Sequence, residues 1–268
     1  MYGKRTFRRK YAGKRKFAGR GKRSHRSTVS RTVKKYVKRT IHANVPLKRD
    51  WNNGSGILNN ALGLIATPVQ FPILPEMTQG TGEGERIGDR IKVRQSHLVI
   101  NVWARAYNSS TNSLCKEQYV KIWIVKAKQL TQGATTIPNA DIARWFQLGS
   151  TATGFSNDLT DTSRDVNTNL FTVKYQKVCK IGFASASSGG AAPPLSTTAP
   201  NNDFKLHHQF KINCGKYMKK MLTFQDNTTP CSNDNLYVVM QTVAYDNTIV
   251  TSAPCEYVWE QHTTFEDV

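Results

Sequence analysis

RIKVRQSHLVINVWARAY, Arg90 to Tyr107, is the stretch whose reading decides the class of fold. It is rich in β-branched residues and largely alternates apolar with polar, which is the pattern of a half-buried strand. Its length suits one long strand, or two with a break near Gln95-Ser96. QYVKIWIVKA (Gln118 to Ala127) repeats the pattern more cleanly, with Tyr119, Lys121, Trp123 and Val125 alternating with Val120, Ile122 and Ile124. Further strand-like runs follow: LFTVKYQKVCKIGFA (Leu170 to Ala184), DFKLHHQFKIN (Asp203 to Asn213), KMLTF (Lys220 to Phe224), NLYVVMQTVAY (Asn235 to Tyr245) and CEYVWEQHTTF (Cys255 to Phe265). ADIARWFQL (Ala140 to Leu148) spaces Ile142, Trp145 and Phe146 as a short helix would. Eight or so strands, little helix and polar loops predict an all-β sandwich, jelly roll or barrel. The small, proline-rich loop SASSGGAAPPLSTTAPNN (Ser185 to Asn202) is expected to be exposed and mobile.

Upstream, Gln79 to Gly88 reads QGTGEGERIG. A dinucleotide fingerprint would need a third glycine at position 85, which is Glu, so this is a tight entry into the first strand. Residues 50–78 read as a connector: WNNGSG, then an apolar run interrupted by Pro68, Pro72 and Pro75, which rule out a continuous helix or a central strand. Such a segment is expected to lie extended along a surface, its own or a neighbouring subunit's.

Residues 1–49 differ from everything after them. They contain 19 Lys or Arg and no Asp or Glu; the first carboxylate is Asp50. The chain has 38 basic and 18 acidic residues, so the remainder holds 19 basic against 18 acidic and the formal +20 sits almost wholly on this arm. Unpaired cations at this density stay solvated and repel one another until a polyanion neutralises them. The phosphate backbone of a nucleic acid is the matching partner, through counterion release. The expected phosphate contacts are Lys4, Arg5, Arg8, Arg9, Lys10, Lys14, Arg15, Lys16, Arg20, Lys22, Arg23, Arg26, Arg31, Lys34, Lys35, Lys38 and Arg39. Tyr2, Phe7, Tyr11 and Phe17 are interleaved with them and can stack on unpaired bases, which favours a single strand over a duplex. Val29, Val33, Tyr36 or Val37, and Ile41 recur at helical spacing, with Ser27 or Ser30 placed to cap a short basic helix. KRTFRRK and KRKFAGRGKR also match the pattern read by nuclear import. A localisation signal alone, or a polybasic membrane tract, are the competing readings of the arm.

No catalytic constellation is legible. There is no G-x-S-x-G, H-E-x-x-H or P-loop, and the adjacent His207 and His208 point to opposite faces of a strand. Glu83 and Glu85 sit in the glycine turn; Asp158, Asp161 and Asp165 could either collect a metal ion or line a solvated loop. The five cysteines are odd in number and show no C-x-x-C, against a disulfide framework or a zinc site, and so point to a reducing compartment. Neither an enzyme nor a cofactor is expected.

Taken together, the basic arm, the segment QGTGEGERIGDRIKV (Gln79 to Val93, with Arg86, Gly88 and Asp89), and the strands LFTVKYQKV and NLYVVMQTVAYDN resemble the coat proteins of circular Rep-encoding single-stranded DNA viruses, the circovirus and geminivirus relatives. The resemblance implies an eight-stranded antiparallel jelly roll with a disordered basic arm, closing as about sixty copies into an icosahedral T=1 shell. It implies residues 1–49 as the DNA-binding arm with its nuclear localisation signal, 50–78 as connector and 79–268 as the capsid domain. The implied partners are the single-stranded DNA genome, further copies of the chain, the host nuclear import machinery and a host cell-surface receptor of unknown identity; the implied locations are the virion and host nucleus. An RNA-virus coat protein and a cellular nucleic-acid-binding protein with a basic tail are the alternatives, the latter disfavoured by a body near neutrality.

Overall fold

The computed structural model of the chain describes residues 46–60, 68–108, 110, 112, 116–129, 134–182, 184–187, 205–247 and 252–268, together with 33, 35 and 36. Two compact units are separated at Pro46: Met1–Pro46, and Leu47–Val268, which holds the sheets.

Thirteen strands form in the second unit among the described residues: β1 Lys48–Asn60, β2 Val69–Pro72, β3 Arg90–Ala104, β4 Ala106–Tyr107, β5 Gln118–Ala127, β6 Phe146–Leu148, β7 Thr151–Thr153, β8 Phe171–Ile181, β9 Ala184–Ser187, β10 His207–Asn213, β11 Met221–Thr223, β12 Tyr237–Ala244 and β13 Ser252–Asp267. Two single-turn helices accompany them, α1 Asn139–Ile142 and α2 Thr160–Ser163. One sheet runs β1-β13-β3-β10, with β11 continuing beside β3; the other runs β2-β12-β5-β8. Of the eight long partners, the first pairs with the last, the second with the seventh, the third with the sixth and the fourth with the fifth, all antiparallel. That nested pairing is a long hairpin rolled into two sheets, a jelly roll.

The expected connector at 50–78 is a correction. β1 pairs with β13 in register from Lys48–Phe265 to Leu58–Cys255, and β2 pairs with β12, so this segment supplies the first two strands of the roll. Backbone pairing overrides the poor strand propensity of WNNGSG because Gly54 and Gly56 lie under the Trp259 and Tyr257 rings. A Cβ at Gly54 would stand 2.7 Å from Trp259 Nε1, and one at Gly56 2.7 Å from the Tyr257 hydroxyl. The prolines are accommodated because β2 is an edge strand, where Pro72 forfeits no ladder bond.

Between the sheets lies the larger core, in which Ile91, Leu98, Ile100 and Val102 of β3 meet Val120, Ile122 and Ile124 of β5; Phe71 stacks on Trp259 at 4.6 Å. A second core covers the outer face of the β2-β12-β5-β8 sheet, where the segment from Ile137 to Phe171 buries Trp145, Phe146 and Phe155 against Trp123. The helix expected over 140–148 is only α1: the chain leaves it after Ile142, and Phe146 opens β6. The break near Gln95-Ser96 is a bulge in one continuous strand, with Arg94 as the extra residue between the Gln95–Thr264 and Val93–Phe265 pairs. Part of the 185–202 loop is also ordered into pairing, since β9 runs parallel to β4; the rest lies outside the described residues.

Candidate nucleic-acid interface

The basic arm joins the body where β1 begins. Lys48 is almost buried there: its Nζ donates to the Glu85 carbonyl at 2.7 Å and pairs with Asp267 at 3.1 Å. Asp267 also accepts the Ile87 N–H at 3.2 Å. The start of β1, the end of β13 and the 79–88 turn are thereby tied into one corner.

The turn is built around two side chains. Glu85 folds back so that its carboxylate accepts the Gly82 N–H at 2.7 Å, and it fills the space a Cβ would need at Gly80 and Gly82. Its backbone closes through Gly80 N–H to the Arg86 carbonyl and Arg86 N–H to the Thr78 carbonyl. Arg86 is fully buried. Its guanidinium donates to the carbonyls of Gly88 (2.8 Å), Gln225 (2.9 Å) and Thr228 (3.1 Å), pairs with Asp89 and lies over the Phe224 ring. The most specific piece of the sequence resemblance is therefore a structural clamp between two loops, with its charge hidden from any ligand.

Beyond Lys48, alternate residues of β1 face outward. Arg49 is exposed and Trp51 is 63% exposed, its ring 4.1 Å from that of His262. Asp50 points the other way; burial and the neighbouring Glu76 carboxylate raise its pKa to about 6, against a smaller opposing effect of the Trp51 N–H. Below it a buried polar chain links the sheets, with Gln261 Nε2 donating to the Ile73 carbonyl (2.7 Å) and to Ser96 Oγ (3.0 Å).

Of the arm cations named from the sequence, Lys35 lies among the described residues, exposed and helical like Val33 and Tyr36, as the spacing predicts. The other sixteen lie outside the described residues. The histidine pair splits across the strand: His207 is exposed beside Asn101 Oδ1 (3.2 Å), while His208 turns in against Phe210, its pKa lowered by burial and by nearby Lys177, His207 and Lys205.

The three aspartates of the loop differ, Asp165 being exposed, Asp158 half-buried and Asp161 turned inward. Asp161 is completely buried and accepts bonds from the Ser156 and Asn157 N–H groups, Ser156 Oγ, Gln241 Nε2 and Arg164. With its oxygens so occupied it is a structural hub. Lys121 beneath it donates to the carbonyls of Asp161 (3.3 Å) and Thr162 (2.7 Å), latching α2 onto the sheet; burial lowers its pKa while Asp161 and Asp165 oppose that shift. Among the described residues no group of three His, Cys, Asp or Glu is placed to hold a metal ion. Cys179, Cys214, Cys231 and Cys255 are buried free thiols, and burial pushes Cys179 and Cys214 up to about 12.

No protein-family model matches the chain, and no curated protein does. Among solved structures it is similar to that of Desmodium yellow mottle tymovirus, at 8% identity and a TM-score of 0.31 over 84% of this chain and 89% of that one. It is similar to VP1 of Trichodysplasia spinulosa-associated polyomavirus in complex with GM1 oligosaccharide, at 9% identity and a TM-score of 0.25 over 84% and 95%. It is also similar to the infectious bursal disease virus Gx strain structure, at 8% identity and a TM-score of 0.18 over 83% of this chain and 37% of that one.

Proposed function

We propose that the chain is a viral coat protein. In this reading the jelly roll is the wall unit of an icosahedral shell of about sixty copies, and the arm packages a single-stranded DNA genome by neutralising its phosphates. The observation that carries the reading is a pairing of two features: a two-sheet roll with its own core, and an acid-free segment of 17 cations leading directly into its first strand. A shell subunit needs both, a rigid tile and a tether for the cargo. The import-like runs KRTFRRK and KRKFAGRGKR fit delivery to a host nucleus before assembly. In this reading the role of the chain is structural.

An RNA genome would be held by the same physics, because phosphate contacts read no sugar. Electron micrographs of purified full-length protein test the reading: uniform closed particles are expected, whose packaged nucleic acid yields to DNase but not to RNase after opening. Protein that stays monomeric under all ionic conditions would contradict it.

A further inference from the structure

The near-neutral total of the body conceals a strong asymmetry. Residues 166–225 carry eight Lys, no Arg and a single acid, Asp203, whereas residues 226–268 carry seven acids and no Lys or Arg. Folding cancels the acidic half internally. Asp234 pairs with Lys126, Asp246 with Lys116, Glu256 with Arg105, Glu266 with Arg94 and Lys92, and Asp267 with Lys48, leaving Asp226 and Glu260 exposed. The basic half is not cancelled. All eight lysines are exposed; Lys180 lies over the Tyr119 and Tyr245 rings, and the other seven stand outside any ion pair among the described residues.

The roll gathers these lysines on one side. β8 is the edge of one sheet and β10 the edge of the other, and they meet where Lys177 reaches over the Phe210 ring at 5.7 Å and the Gly182 N–H donates to the Lys205 carbonyl. Lys174, Lys177, Lys205 and Lys211 thus line a single edge. Apart from Asp246, paired with Lys116, the exposed acids among the described residues, Glu76, Glu83, Asp89, Asp165, Asp226 and Glu260, belong to five separate segments, whereas the lysines share one edge. That contrast favours an extended external polyanion over a second copy of the chain as the partner.

The face leading to that edge says which kind. Trp51 on β1 stands opposite His262 on β13, which stands opposite His97 on β3, which stands opposite Asn213 on β10. Directly opposed residues share a face, so an aromatic row crosses the sheet from the arm's root to the lysine edge, about 14 Å over three strand spacings. Glu260 is a single carboxylate in the adjacent row. Exposed rings between cations stack on unpaired bases, a use that a sulfated polysaccharide would not have for them.

We propose that this face and edge form a second binding surface for single-stranded nucleic acid, with Trp51, His262 and His97 stacking bases and Lys174, Lys177, Lys205 and Lys211 taking phosphates. The inference rests on the packaging role proposed above and extends it to the body. The test uses a labelled thirty-nucleotide oligodeoxythymidylate, read by fluorescence anisotropy, against residues 47–268, which hold both cores, and against the full chain. The isolated body is expected to bind at low salt. Replacing the four lysines by Gln should flatten the log–log salt slope by about 3. Trp51→Ala should weaken binding about tenfold without changing the slope; circular dichroism confirms that both variants fold. Loss of all binding with the arm, while the full chain still binds, would overturn this inference and leave the packaging role intact. Failure of the full chain would remove both. Binding of dextran sulfate in place of the oligonucleotide, or an unaltered slope in the lysine variant, would also overturn it.

Discussion

Arg86 shows how much a single residue can hold in this fold. Its guanidinium satisfies the Gln225 and Thr228 carbonyls, 139 and 142 residues away in sequence, and removing it leaves buried acceptors bare. Arg86→Ala is expected to cost about 3–5 kcal/mol in urea denaturation. Arg86→Lys should recover only a fraction, because an ammonium cannot reproduce the planar fork. The sequence singled out Arg86, Gly88 and Asp89 as a group, but their role was not legible because the partner carbonyls belong to a distant loop. Asp50 makes a different prediction. Its folded pKa, raised to about 6 from 3.8, means that the folded state binds the proton more tightly than the unfolded one. This contribution to stability is therefore full below about pH 4 and is lost as pH rises through about 6. Asp50→Asn should raise the melting midpoint at pH 7.5 and leave it nearly unchanged at pH 4; an equal gain at both values would exclude the carboxylate as the cause.

At the scale of elements, the strands that sequence made legible are those whose own side chains alternate: β5 matches its expected span residue for residue, β8, β12 and β13 fall within three residues of theirs, and β10 ends where expected but begins four residues later, at His207. β1 was illegible for a physical reason. Its residues, WNNGSG, carry turn propensity, and it is a strand because thirteen residues of β13 and β3 behind it supply a template and two aromatic rings supply a lid. Gly54→Ala tests that lid. The methyl would collide with the Trp259 indole, and a loss of about 1–3 kcal/mol is expected, with Ser55→Ala on the outward face as a control that changes stability little. The short helix was overread for the converse reason: Trp145 and Phe146 have helical spacing from Ile142, but both are drawn into the aromatic cluster around Trp123.

For the molecule as a whole, composition made the arm legible, since no packing is needed to see 19 cations without an acid. The charge asymmetry of the body was not, because summing over residues 50–268 cancels its two halves and only the strand order shows that one half is neutralised in place. If about sixty arms enter one shell, on the order of a thousand cations share its interior, and their repulsion must be offset by phosphates. Assembly and packaging should then be coupled, with the arm supplying most of the phosphate contacts and the body only an accessory share. Deleting residues 1–26 should leave the melting midpoint of the body unchanged, since both cores lie beyond Pro46. The most direct measurement is the absorbance ratio at 260 and 280 nm of purified particles formed by the full-length chain and by the chain lacking residues 1–45. Full-length particles are predicted to carry the ratio of a nucleoprotein and truncated ones a ratio close to that of protein alone. Truncated shells as fully loaded as intact ones would contradict the account, leaving the arm no part in holding the cargo.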